Sequence, residues 1–169
     1  LVILGINRYR ENPGVSSSLK LVSENGAQSA DISGFQRASE KTPIIFPDDF
    51  GPHPQYQTEW WYYTGNLSTP DGRRFGYQLT FFRRGLIPPG KVPVRSSNLA
   101  ADQVYLAHFA LTDVEGEKHY AFEKLGRGSG GIAGAQVNPY SVWLEDWIVE
   151  ERPSGEYRLS ARRDEFGIE

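Results

Sequence analysis

Glu59 stands directly before Trp60-Trp61-Tyr62-Tyr63, His108 lies in phase with Val104, Leu106 and Ala110, and Asp146 lies in phase with Val142, Leu144 and Ile148. Each is an ionisable group inside an apolar or aromatic run. Taking a charge out of water is costly unless the charge is paired, so such a group is either a structural partner or a group whose proton affinity is shifted toward acid–base work. For any one alone the structural reading is the simpler; three in neighbouring strands favour the functional one. Glu145, between Trp143 and Trp147 on the other face, is a fourth candidate, and a one-residue slip of register would exchange it with Asp146.

Other chemistries find less support. Cysteine is absent, which removes a thiolate nucleophile, a disulfide framework and cysteine-ligated metal. His53, Glu59 and His108 could in principle ligate a metal, but no short spacing such as two histidines four apart accompanies them, and no metal is expected. Gly128-Ser129-Gly130 lacks the Gly-x-Ser-x-Gly spacing of a nucleophile elbow. The glycines from Gly126 to Gly134 are followed by neither a Lys-Ser/Thr pair nor a helix-forming run, so they read as a corner, not as a phosphate cradle, and no cofactor is expected. Arg73-Arg74 and Arg83-Arg84 read as solvated strand ends.

The elements that must position these residues are strands. Aromatic side chains lose rotamer freedom in helices and pack well on pleated sheets, so Thr58 to Leu67 is expected as a strand, with Glu59, Trp61 and Tyr63 on one face and Trp60, Tyr62 and Thr64 on the other. Ser68-Thr69-Pro70-Asp71-Gly72 reads as the turn of a hairpin. In the return strand Phe75, Tyr77, Leu79 and Phe81 alternate with Gly76, Gln78 and Thr80. Gly85 to Ala101 reads as a long loop, a candidate lid. Gln103 to Thr112 and Lys118 to Lys124 form a second hairpin around Val114 to Glu117. Ser141 to Glu150 is expected as one strand, and Tyr157 to Arg163 as another after Pro153-Ser154-Gly155. About six strands without an amphipathic helix predict an all-β antiparallel barrel or sandwich. A closed ligand-holding barrel needs about eight strands, so six leave it incomplete.

The 169 residues carry a formal net charge of −3, which argues against nucleic acid as a partner. Leu1 to Ile6 is apolar but far shorter than the roughly 20 residues of a membrane span. It reads either as the remnant of a signal or anchor segment, which would allow membrane anchoring through the part before it, or equally as a short strand or a frayed end. Residues 7–42 are polar and punctuated by Asn12-Pro13-Gly14 and Asn25-Gly26, a linker or arm; 43–169 is then the barrel domain. Methionine is absent, including at position 1, and the chain ends in what reads as mid-strand, so a piece of a longer protein is expected.

Four blocks carry a family resemblance: His53-Pro54-Gln55-Tyr56-Gln57-Thr58-Glu59-Trp60-Trp61-Tyr62-Tyr63-Thr64-Gly65-Asn66-Leu67, Gly76-Tyr77-Gln78-Leu79-Thr80-Phe81-Phe82-Arg83, Gln103-Val104-Tyr105-Leu106-Ala107-His108-Phe109-Ala110-Leu111 and Val142-Trp143-Leu144-Glu145-Asp146-Trp147. Together they resemble the AttH and carotenoid 1,2-hydratase (CrtC) family, more closely its AttH-like, predicted secreted hydrolase branch. The resemblance implies two consecutive lipocalin-like β-barrels, this chain holding most of the first, so that a second barrel domain of the same chain is the expected partner. It also implies periplasmic or secreted localisation, often with a membrane anchor. Family activities differ; the hydratases add water to an isoprenoid double bond without a cofactor, and the family's catalytic residues are not carried over to this chain.

Two functions follow. In the first, a hydratase or hydrolase acts on an apolar, isoprenoid or lipid-like substrate: Glu59 or Asp146 protonates an alkene or activates water, His108 assists, and Trp60, Trp61, Tyr62, Tyr77 and Trp143 line the pocket. In the second, the same barrel carries a lipid-like ligand, and the ionisable residues are structural.

Overall fold

The computed structural model describes residues 34–38, 43–92 and 100–169. The leader remnant expected at 1–6, most of the arm expected at 7–42 and the middle of the long loop lie outside the described residues.

Among the described residues nine strands form two antiparallel sheets. The first sheet is a meander of β1 (Thr58–Ser68), β2 (Arg74–Gly85), β3 (Gln103–Asp113) and β4 (Lys118–Arg127). The second is a meander of β5 (Ala133–Gln136), β6 (Ser141–Leu144), β7 (Trp147–Glu151), β8 (Tyr157–Arg163) and β9 (Phe166–Ile168). Pro70-Asp71-Gly72 makes the expected turn. Gly72 takes a positive φ of 87°, and its N–H donates to the Thr69 carbonyl at 2.9 Å. The glycine-rich stretch after β4 carries the chain from one sheet to the other, with Gly130 and Gly131 at positive φ.

One core lies between the sheets. Phe75, Leu79, Phe81, Tyr105, Ala107, Phe109 and Leu111 fill it from β2 and β3, and Val142, Leu144, Trp147, Val149, Ala161, Phe166 and Ile168 from the second sheet. Trp147 receives the Phe109 ring edge-on at 5.9 Å, and Phe166 stacks under Tyr120 and Phe122. Fully burying one such side chain contributes about 1.5–3 kcal/mol, so this seam, with few polar groups to satisfy, holds the two sheets together. Among the described residues the strands do not close into a continuous ring.

One strand boundary differs from expectation with consequences for the site. Ser141 to Glu150 is not a single strand: Glu145-Asp146 is a two-residue turn, pairing Leu144 with Trp147. The turn resets the alternation, so Trp147 enters the core while Trp143 and Ile148 do not. Glu145 sits at φ 56°, a conformation usually left to glycine or asparagine, which is why the sequence shows no turn signal there.

Segment 43–57 is not regular, apart from a 3₁₀ turn at Asp48–Phe50, and it bridges the two sheets. The Trp61 indole N–H in β1 donates to the Phe50 carbonyl at 2.9 Å, while the Phe50 ring packs against Tyr140 and Tyr157 on the other side. A short stretch of the expected arm reaches the same region, where the Gln36 N–H donates to the Gln55 carbonyl at 2.8 Å.

Candidate functional site

The alternation of β1 sorts the opening aromatic block. Glu59, Trp61, Tyr63 and Leu67 face the interior, and Trp60 and Tyr62 face outward, 63% and 54% exposed. Glu59 ends up in a polar knot. Its carboxylate accepts the His53 backbone N–H at 2.9 and 3.0 Å and the Arg83 Nε–H at 2.5 Å. Arg83 is only 3% exposed and also donates to the carbonyls of His53 at 2.9 Å and Tyr56 at 2.7 Å. The His53 imidazole lies between two carboxylates, Nδ1 at 3.1 Å from Glu59 and Nε2 at 3.0 Å from Asp49. The hydrogen bond to Asp49, with help from Glu59, raises the His53 pKa above its ordinary value against the cost of burial. The same bond lowers that of Asp49. Every oxygen of Glu59 is engaged, so the knot ties segment 43–57 to the sheet and leaves no free carboxylate for a substrate.

Further along β1, the Tyr63 hydroxyl meets that of Tyr140, and Tyr157 packs edge-on against Tyr140 at 5.5 Å. Burial is the main cause that pushes the Tyr140 phenol up to about 12 and raises Tyr63 as well, so both stay protonated and can donate. At the far end of β1 lies an open cleft of about 490 Å³ lined by Leu67, Tyr77, Tyr157, Leu159 and Ile168 together with the charged Arg152, Glu156, Arg158 and Glu169. Its size is within the roughly 300–1,000 Å³ of small-molecule sites. Tyr77 reaches it by lying across Gly65, where an added Cβ would stand 2.7 Å from the Tyr77 ring. Glu59 and Leu67 are eight residues apart on one strand, about 26 Å at strand rise, so the knot and the cleft are separate places.

The expected catalytic residues are not brought together. Glu59 is inside the knot. His108 lies on the opposite face of the sheet, since Tyr105, Ala107, Phe109 and Leu111 take the core side of β3 and leave His108 with Val104, Leu106 and Ala110 on the outer side. Both faces of β3 are apolar in sequence, and the bulkier set took the interior. His108 Nε2 is buried without a hydrogen bond among the described residues, 3.9 Å from Glu123, and the ring stands edge-on to Phe82. Asp146 is in the β6–β7 turn with its side chain 66% exposed, bound with Glu145 to Lys124 Nζ. That hydrogen bond lowers the Asp146 pKa. The choice between Glu145 and Asp146 therefore dissolves: neither points inward, and both brace one lysine, which also stands 5.1 Å over the Trp147 ring. Among the described residues no three His, Cys, Asp or Glu side chains form a metal-ligand group.

Of the expected pocket residues, Tyr77 lines the cleft and Trp61 faces the interior near segment 43–57. Trp60 and Tyr62 face outward, and Trp143 lies on the outer side of the second sheet, its ring across Gly134 and its N–H on the Gly131 carbonyl at 3.0 Å. Arg83 is not a solvated strand end. It is in phase with Phe75, Tyr77, Leu79 and Phe81, so the alternation already pointed it inward. Arg73 is likewise paired, with Asp113. Tyr140 and Tyr157, by contrast, carry no pattern that could have marked them.

Comparison with known proteins agrees with this architecture. No curated protein matches the chain. The crystal structure of an AttH candidate from Nitrosomonas europaea, at 2.00 Å resolution, is similar to it with 36% identity and a TM-score of 0.57 over 73% of this chain. The matched part is 35% of the length of that protein. The open antiparallel barrel is thus lipocalin-like. The family model described as AttH-like matches residues 37–169, and the chain belongs to the AttH-like family.

Proposed function

We propose that this AttH-like chain is a binding module that holds an apolar, lipid-like small molecule between its two sheets. The observation that carries this reading is the cleft between the sheets, where the apolar and aromatic Leu67, Tyr77, Tyr157, Leu159 and Ile168 meet charged groups, Arg152, Glu156, Arg158 and Glu169. Such a lining receives a hydrocarbon body and leaves a polar end to Arg152 and Arg158. Acid–base catalysis by Glu59, His108 and Asp146 is disfavoured, because they occupy three separate environments and two of them are held in ion pairs.

A second reading, a cofactor-free hydratase or hydrolase, is favoured by one feature: the hydroxyl pair of Tyr63 and Tyr140 stands beside Tyr157, a wall of the same cleft, where it can orient a water or a polar substrate group by hydrogen bonding. Export to the periplasm or medium belongs with either reading and is tested by whether a reporter that is active only outside the cytoplasm works when fused to the natural gene product.

Native mass spectrometry of the full natural protein separates the two. A co-purified lipid released unchanged supports carriage, and a released product heavier by one water supports hydration. Titration with a fluorescent fatty-acid analogue then localises the site: Leu159→Lys places a charge against the apolar wall and is expected to weaken binding about tenfold or more. Equal binding by the wild type and Leu159→Lys would sink the cleft as the site.

A further inference from the structure

The outer face of the first sheet presents an apolar row that the interior does not use. Strand register places Trp60 beside Phe82, Phe82 beside Leu106, and Leu106 beside Leu125, one residue from each of four successive strands. The ends of the row are the most open, Trp60 at 63% and Leu125 at 70% exposed. Tyr62 extends the patch on the β1 side at 54%. Exposed apolar patches of this kind mark sites that meet another surface.

The adjoining row says which kind of surface. Thr58, Arg84, Val104 and Arg127 are register partners immediately beside the apolar row, and both arginines are exposed and form no ion pair among the described residues. On the other flank lie Tyr62, Thr80, His108 and Glu123, the last drawn toward His108 at 3.9 Å. The Trp60 N–H and Tyr62 O–H make no hydrogen bond among the described residues. Amphipathic rings with unsatisfied polar tips, aliphatic side chains between them and free guanidinium groups alongside are the combination that settles at a bilayer interface: rings at headgroup depth, cations on lipid phosphates. A protein surface, another domain or a second copy, would use the same residue types, since Trp, Tyr and Arg also anchor protein interfaces; the two guanidinium groups beside the row favour lipid phosphates, and the experiment below separates these occupants.

We propose that this face docks peripherally on an anionic lipid bilayer, with Trp60, Tyr62 and Leu125 entering the interface and Arg84 and Arg127 binding lipid phosphates. The proposal is independent of what the cleft holds.

The test is co-sedimentation of the full natural protein with vesicles of phosphatidylcholine alone and of phosphatidylcholine with phosphatidylglycerol. Binding to the mixed vesicles is expected to exceed that to the neutral ones, and to fall when salt rises from about 0.1 M to about 1 M, where the screening length drops from about 10 Å to about 3 Å. Trp60→Ser with Leu125→Ser is expected to weaken it about tenfold or more, by removing buried apolar area. Arg84→Glu with Arg127→Glu is expected to remove the preference for anionic vesicles while leaving the circular dichroism of the fold unchanged. All four positions are exposed, so these variants are expected to fold, which their circular dichroism checks. Equal sedimentation of the wild type and Trp60→Ser/Leu125→Ser, or no binding to either vesicle, overturns the proposal. So does a wild-type dimer in sedimentation velocity that the Trp60→Ser/Leu125→Ser variant turns into monomer, which would make the face a contact between two copies.

Discussion

Arg83 and Arg84 are consecutive in β2, and the sheet separates them completely. Arg83 points inward, is 3% exposed, and holds Glu59 together with the carbonyls of His53 and Tyr56. Arg84 points outward, is exposed, and borders the apolar row of Trp60, Phe82, Leu106 and Leu125. Trp61 and Trp60 divide in the same way: one donates to the Phe50 carbonyl from the interior, the other stands in solvent. Identical residue types one position apart thus serve stability on one face and recognition on the other. The difference teaches that in this sheet the face a residue occupies decides its role more than its chemistry does.

The largest effect that could break this contrast concerns the arginines. Arg83→Met leaves the Glu59 carboxylate and two carbonyls without their partner and is expected to cost about 3–5 kcal/mol in urea unfolding, as for a broken buried ion pair. Arg84→Met is expected to stay within about 0.5 kcal/mol of the wild type. Equal midpoints for the two would show that the knot contributes nothing. Next in size, Trp61→Ala loses a partly buried ring and a hydrogen bond, and should destabilise by about 2 kcal/mol or more, whereas Trp60→Ala should change stability by no more than about 0.5 kcal/mol. A destabilising Trp60→Ala would mean that the outer face is part of the fold's support.

A smaller effect sharpens the contrast through pH. His53 has a raised pKa in the folded state, so its stabilising contribution is fully present below the ordinary value of 6.5 and is lost as pH rises through the folded value. Asp49 is lowered, so its contribution is present above its ordinary 3.8 and is lost as pH falls through the folded value. The stability difference between wild type and His53→Asn should therefore be greatest between these limits and shrink toward alkaline pH. A difference that stays constant from pH about 5 to about 9 would mean that the imidazole is held neutral. The smallest effect is that of Asp146→Asn. Its ion pair with Lys124 is exposed and shared with Glu145, and its loss should cost no more than about 1 kcal/mol. A loss as large as that of Arg83→Met would put the β6–β7 turn on a par with the knot.

Much of this was legible in the sequence. Alternation defined β1 to β4 to within a few residues, because each strand carries a bulky apolar set at every second position and only a pleated strand brings such a set to one side. The same alternation marked Arg83 as inward, although the doubled arginine resembles a solvated end. The second sheet was harder to read. β5, β6 and β9 have three or four residues each, too few for a period to stand out, and the β6–β7 turn is built from Glu145 and Asp146 without a glycine, stabilised by a lysine from another strand. Of the candidate catalytic residues, Asp146 and His108 do not point inward, each for its own reason: the turn removed Asp146 from any strand, and β3 offered two apolar faces of which the bulkier one won.

By itself, then, the sequence determined the fold class, the first four strands and the division of the Trp60-Trp61-Tyr62-Tyr63 block into two faces, because these follow from local geometry and a period of two. The tertiary structure alone decided what each face meets. Which carboxylate Arg83 binds, which tyrosines share a hydrogen bond across the two sheets and where the cleft opens depend on residues far apart in the chain, such as Tyr63 and Tyr140, whose proximity is created by the packing of one sheet on the other and by no local pattern.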